Sequence, residues 1–169
     1  MGTMLRLSKL ADYAVLTLVE LGRHEDVVTS SAIATGTGVP EPTVAKVLKT
    51  LAANGLVVSQ RGARGGYRLA MPQRDISIAR VIAAVDGPIA LTACVNGGAG
   101  CDNGADCALY GSWEVVNEAI RAALAGISIA RMAEMSASAR RPCVGPALPD
   151  ETAVREKKTA TETVGALGG

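Results

Sequence analysis

Phenylalanine is absent from these 169 residues, and the aromatics that remain are Tyr13, Tyr67, Tyr110 and Trp113. An aromatic core is thereby excluded, so burial must be aliphatic, drawn from the Leu, Val, Ile and Ala of a chain that is 49% apolar. Histidine is reduced to His24, which falls just past the end of an expected helix beside Glu25 and Asp26. It reads as a surface residue there rather than a ligand. With no Ser/His/Asp set, no metal-binding helix motif and no cofactor fingerprint, an enzyme is disfavoured. No run of about 18 apolar residues occurs, so no membrane span is expected. The apolar stretch after Met4 is broken by Arg6, Lys9 and Asp12, unlike a signal peptide. A cytoplasmic location is expected, where disulfides are disfavoured and metal or redox roles for the four cysteines gain weight.

Net charge is only +1, but its distribution is uneven. Residues 1–85 carry ten Lys/Arg against six Asp/Glu, residues 86–138 two against six, and residues 139–169 five against four. A basic front half joined to an acidic middle fits one part facing phosphate and another facing a partner subunit. Three thiols stand in that middle part, spaced Cys94-x6-Cys101-x5-Cys107 in a loop rich in glycine and turn formers. Too little apolar sequence lies between Val95 and Ala105 to hold such a loop by burial, and thiolate ligation is the natural substitute. Structural zinc favours closer cysteine pairs than these. An iron-sulfur cluster tolerates the spacing, and a thiol-disulfide sensor using two of the three is a further reading.

In chain order, Ser8 can cap a helix with Leu10, Tyr13, Ala14, Leu18 and Leu21 on its buried side, ending near Gly22. A second helix should start at Ser30 or Ser31 and end at Gly36 and Gly38. A third opens on the prolines of Val39-Pro-Glu-Pro-Thr43, buries Val44, Val47, Leu48 and Leu51, and closes at Asn54-Gly55. Its outward side offers Pro42, Thr43, Lys46 and Lys49, the makings of a recognition helix for the major groove. Leu56–Gln60 and Tyr67–Ala70 read as strands joined by a glycine turn carrying Arg61 and Arg64, a wing able to reach the DNA backbone. Ser77 can cap a helix over 78–85, and a longer helical pattern from about Leu109 to Met135, interrupted near Gly126 and Ser128, aligns Trp113, Val116, Ile120, Leu124 and Ile127. That stripe lacks a large enough core within the chain and is expected to meet its own copy in a homodimer, with packing onto the first helix as an alternative compatible with it. The expected fold is mainly α with a small β-hairpin: a winged helix-turn-helix over 1–85, a cysteine-rich loop over 86–108, a dimerisation helix region over 109–138 and a disordered tail over 139–169 that holds Cys143, read as a bystander.

Leu5–Ala14, Val39–Lys49, Arg61-Gly-Ala-Arg-Gly-Gly-Tyr67 and Asp86–Cys94 together resemble the bacterial winged-helix regulators of the IscR, NsrR and RirA type. The resemblance covers about residues 4–136 and is nearest to the branch regulating the SUF iron-sulfur assembly system. It implies a homodimeric repressor on double-stranded operator DNA, with an iron-sulfur cluster, 4Fe-4S in preference to 2Fe-2S, at Cys94, Cys101 and Cys107. The IscR branch has a histidine three residues after its third cysteine, where this chain has Tyr110. The nitric-oxide-sensing branch instead uses an aspartate of the first helix, donated by the other subunit, and that position matches Asp12. A regulator answering nitric oxide or iron is the runner-up within this class. An electron carrier or cluster enzyme is the alternative outside it.

Overall fold

In the computed structural model, residues 7–62, 65–92, 95, 109 and 111–138 are described, and all but Ser138 belong to one compact unit, 1–137. Helix α1 (Lys9–Leu21) starts where its cap dictates: the Ala11 N–H donates to Ser8 Oγ at 3.0 Å. Helix α2 (Ser30–Thr37) starts at Ser30 as expected, its cap being Thr29, whose Oγ1 accepts from the Ala32 N–H. Gly36 does not end it. This glycine lies inside α2, where a Cβ would meet the carboxylate end of the Glu20 side chain on α1 and the side chain would have to shift, so it marks a close approach rather than a stop. The stop is Gly38, at φ +72°, a left-handed cap that a side chain would strain.

Helix α3 (Glu41–Ala53) follows a turn of three residues, with Pro40 as its cap and Pro42 in its first turn, where a missing N–H leaves no hydrogen bond unmade. Its Val44, Val47, Leu48 and Leu51 are all buried, against Ala14 and Leu18 of α1 and Val81 of α4 (Ile78–Asp86). Each such aliphatic side chain contributes about 1.5–3 kcal/mol on full burial, enough for a core without phenylalanine. Strands β1 (Val57–Gln60) and β2 (Gly66–Leu69) pair antiparallel from Val57 opposite Leu69 to Gln60 opposite Gly66. Val28, between α1 and α2, makes an isolated bridge to Tyr67 through two hydrogen bonds of 2.8 and 2.9 Å. The wing is thus fastened to the helical body.

Past the cysteine loop come α5 (Ser112–Ala125) and α6 (Ile129–Ser138), the break falling near Gly126 and Ser128 as expected. The chain then returns to its own domain. Ile78 N–H donates to Ile127 O and Ile129 N–H to Ile76 O, and Ile129 is fully buried in the core formed by α1, α3 and α4. Leu124, Met132 and Ala133 pack against the same core.

Candidate nucleic-acid interface and cysteine loop

The buried side of α3 fixes what its other side can offer. Pro42, Lys46 and Lys49 are exposed and Thr43 is half-buried, all on one helix whose inner residues are clamped in the core. Arg61, at the end of β1, is exposed as well. Among the described residues, neither lysine nor Arg61 is paired with a carboxylate, so their charge is available to phosphate. Arg64, the other wing arginine expected to contact DNA, lies outside the described residues. Helix, short turn, helix and fastened hairpin therefore carry Lys46, Lys49 and Arg61 as exposed cations on the elements of a winged helix-turn-helix.

Cys94, Cys101, Cys107, Tyr110 and Cys143 also lie outside the described residues, as does 139–169. Among the described residues no group of His, Cys, Asp and Glu could hold a metal. The described residues show how the chain approaches the loop. The last turn of α4 is bonded to two neighbours: Ser8 Oγ donates to Asp86 Oδ1 at 2.7 Å, and Asn54 Nδ2 donates to the Ala84 carbonyl at 3.2 Å. Ser8 is the cap of α1 and Asn54 the cap of α3, so both helices are tied to the stretch that leads into the loop. Asn117 of α5 then holds the following run at Ile89 and Leu91, and Val95 is buried. Three soft thiolate donors suit an iron-sulfur cluster better than a hard cation. Asp12 is exposed, one turn beyond Ser8 in α1, free to face a second molecule.

The expected dimer stripe is divided by the structure. Ile120 and Leu124 are half-buried, whereas Trp113 and Val116 are 39% and 43% exposed. The open side of α5 adds Val115, 76% exposed, and Ala119, Ala122 and Ala123, spaced by helical turns. Sequence reasoning placed Asn54 at the end of α3 without its bond to Ala84, and did not single out Asn117 or Val115. The caps carry no pattern beyond Asn-Gly, and a polar residue on an apolar seam is a weak signal until its partners are known.

The profile of the Rrf2 family, described as iron-dependent transcriptional regulators, matches residues 7–135. An HTH-type transcriptional regulator of Mycobacterium tuberculosis is 34% identical over 131 residues, covering 76% of this chain and 81% of that one. The HTH-type transcriptional regulator IscR of Aliivibrio salmonicida is 31% identical over 130 residues, covering 76% and 77%. Among solved structures, T. potens IscR superposes with a TM-score of 0.61 at 29% identity, over 81% of this chain and 92% of that one. The global cysteine regulator CymR of B. subtilis shares the fold, with a TM-score of 0.61 at 23% identity over 78% and 98%. Among the described residues no helix is long and apolar enough to cross a membrane.

Proposed function

Since this chain belongs to the Rrf2 family of transcriptional regulators and is not an enzyme, we propose that it is an iron-sulfur-cluster-dependent repressor of iron-sulfur assembly (SUF) genes. The observation that carries the reading is the bonded last turn of α4: the chain that enters the three-cysteine loop is the chain that Asn54 ties to the end of the recognition helix. A change in the loop therefore has a short covalent and hydrogen-bonded route to Lys46 and Lys49.

Cys94, Cys101 and Cys107 would hold the cluster, 4Fe-4S in preference to 2Fe-2S, and the group would supply a corner whose loss or damage registers the cell's iron-sulfur status. Asp12 of the partner subunit would complete the ligand set, since Tyr110 stands where the IscR branch has a histidine. A carboxylate oxygen binds iron of a cluster less firmly than thiolate does, so Asp12 would be its weakest protein ligand. Release of Asp12 would free α1, which packs on α3. The DNA-binding heads then shift between two arrangements of unequal affinity. Two copies meet through the open side of α5, around Val115, Val116 and Ala119, which would otherwise leave an apolar face in water. That dimer presents two recognition helices to a pseudo-palindromic operator.

Anaerobic purification followed by iron and acid-labile sulfide analysis tests the ligand set, and retention of a promoter fragment against scrambled competitor tests the operator. Iron and sulfide in the wild-type protein, lost in a Cys101→Ala variant, together with sequence-specific retention, is the expected result. Zinc in place of iron, or DNA retention without sequence preference, contradicts the reading.

A further inference from the structure

On α5 the apolar positions Trp113, Ile120 and Leu124 repeat at heptad spacing, and the position that completes the row, four residues after Trp113, is Asn117. Asn117 is 0% exposed and is the buried residue of α5. A buried amide is costly unless both its polar atoms are paired. Both are. The Leu91 N–H donates to Asn117 Oδ1 at 3.1 Å, and Asn117 Nδ2 donates to the Ile89 carbonyl at 3.0 Å. Donor and acceptor therefore meet complementary backbone groups two residues apart, so the side chain takes the place of an adjacent strand for a run that has no regular partner. Leucine at this place would fill the volume and leave a buried N–H and C=O unpaired. Aspartate would still accept from Leu91 but would set its second oxygen against the Ile89 carbonyl.

We propose that Asn117 is the positioning residue of the cysteine loop. It fixes the backbone three residues ahead of Cys94 to α5, and through this clamp the state of the loop is transmitted to the helix that joins the two subunits. The role rests on the reading of the loop as an iron-sulfur ligand set. Neither the sequence pattern nor the relatives' names assign anything to this residue, and a purely structural anchor is the outcome the test must separate from it.

The test uses the full-length protein with Asn117→Leu and Asn117→Asp, the second retaining volume and one hydrogen bond should the first fail to fold. In metal-free protein, hydrogen exchange at the Leu91 amide should quicken roughly tenfold in Asn117→Leu, and less in Asn117→Asp, while Leu48 in the core keeps its protection. In anaerobically prepared protein, bleaching of the cluster absorbance in the presence of a chelator should quicken by a similar factor. The ratio of DNA affinities between cluster-bearing and cluster-free protein should fall toward one, with the cluster-free affinity unchanged. Unchanged Leu91 exchange overturns the clamp. Faster exchange with unaltered bleaching and an unaltered affinity ratio reduces Asn117 to a structural anchor and overturns the proposal. Wild-type protein lacking iron and sulfide overturns the underlying reading and the proposal with it. That failure is recognisable because it precedes any comparison of variants.

Discussion

Replacing Gly66 with alanine should detach the wing from the helical body. A Cβ on Gly66 would stand 2.5 Å from the Val28 carbonyl oxygen and 2.8 Å from the Val28 carbonyl carbon and from Val27 Cγ1. Two of these neighbours are backbone, so no rotamer change relieves the clash and β2 must move away. Overpacking of this kind costs about 1–3 kcal/mol. Parting the strands also strains the pair of hydrogen bonds between Val28 and Tyr67, at 2.8 and 2.9 Å. Net contributions of about 1 kcal/mol each bring the total to about 3–5 kcal/mol, a large share of the roughly 5–15 kcal/mol that stabilises a typical domain. Gly62→Ala is the matched control. At φ +113° with open space around the added Cβ, it should cost only backbone strain, about 1–3 kcal/mol, and leave β2 in place. Urea unfolding followed by circular dichroism gives both values. Destabilisation by Gly66→Ala of less than about 1 kcal/mol, or no more than Gly62→Ala, would refute the argument that Val28 braces the wing.

Substituting Lys46, Arg61 and Arg64 together by alanine should weaken operator binding and flatten its dependence on salt by about 0.9 in log–log slope for each phosphate no longer neutralised, measured by fluorescence anisotropy from about 50 to about 200 mM salt; an intact fold with unchanged affinity would remove these residues from the interface. A Val116→Glu, Ala119→Glu double variant, placed on the open side of α5, should sediment as a monomer and bind DNA poorly, whereas a monomeric wild-type protein at working concentration would end the two-fold account. Asp12→Ala should keep fold and dimer while making the cluster labile or its DNA response abnormal, and Cys143→Ala should do neither; an Asp12 variant with unaltered cluster spectrum and DNA response would leave the aspartate an ordinary surface carboxylate.

The elements that sequence disclosed are those whose cause is local. Ser8 caps α1 through its own hydroxyl, the prolines open α3, and the buried residues of α3 recur at helical spacing, so each can be read within about ten residues. Gly36 misled for the same reason. Glycine after a short helix reads as a stop, and the carboxylate of Glu20 that packs close to it comes from another helix. The return of α6 rests on a bridge between Ser77 and Ser128 and on Ile129, partners some fifty residues apart whose pairing leaves no periodic trace. At the candidate site, the free cations of α3 and Arg61 were legible as exposed positions opposite an apolar face. The clamps at Ala84, Ile89 and Leu91 were not, because they bind backbone carbonyl and amide groups, which every residue possesses alike.

The central claim is that the cysteine loop governs the recognition helix. It is tested most directly by measuring, in one anaerobic titration series, the affinity of a single SUF promoter fragment for the cluster-bearing protein and for the same preparation stripped by chelation. The account predicts a difference of about fivefold or more between the two forms, within the usual span of coupling between sites, and its disappearance in Cys101→Ala. Equal affinities for protein that demonstrably carries iron and sulfide would contradict it.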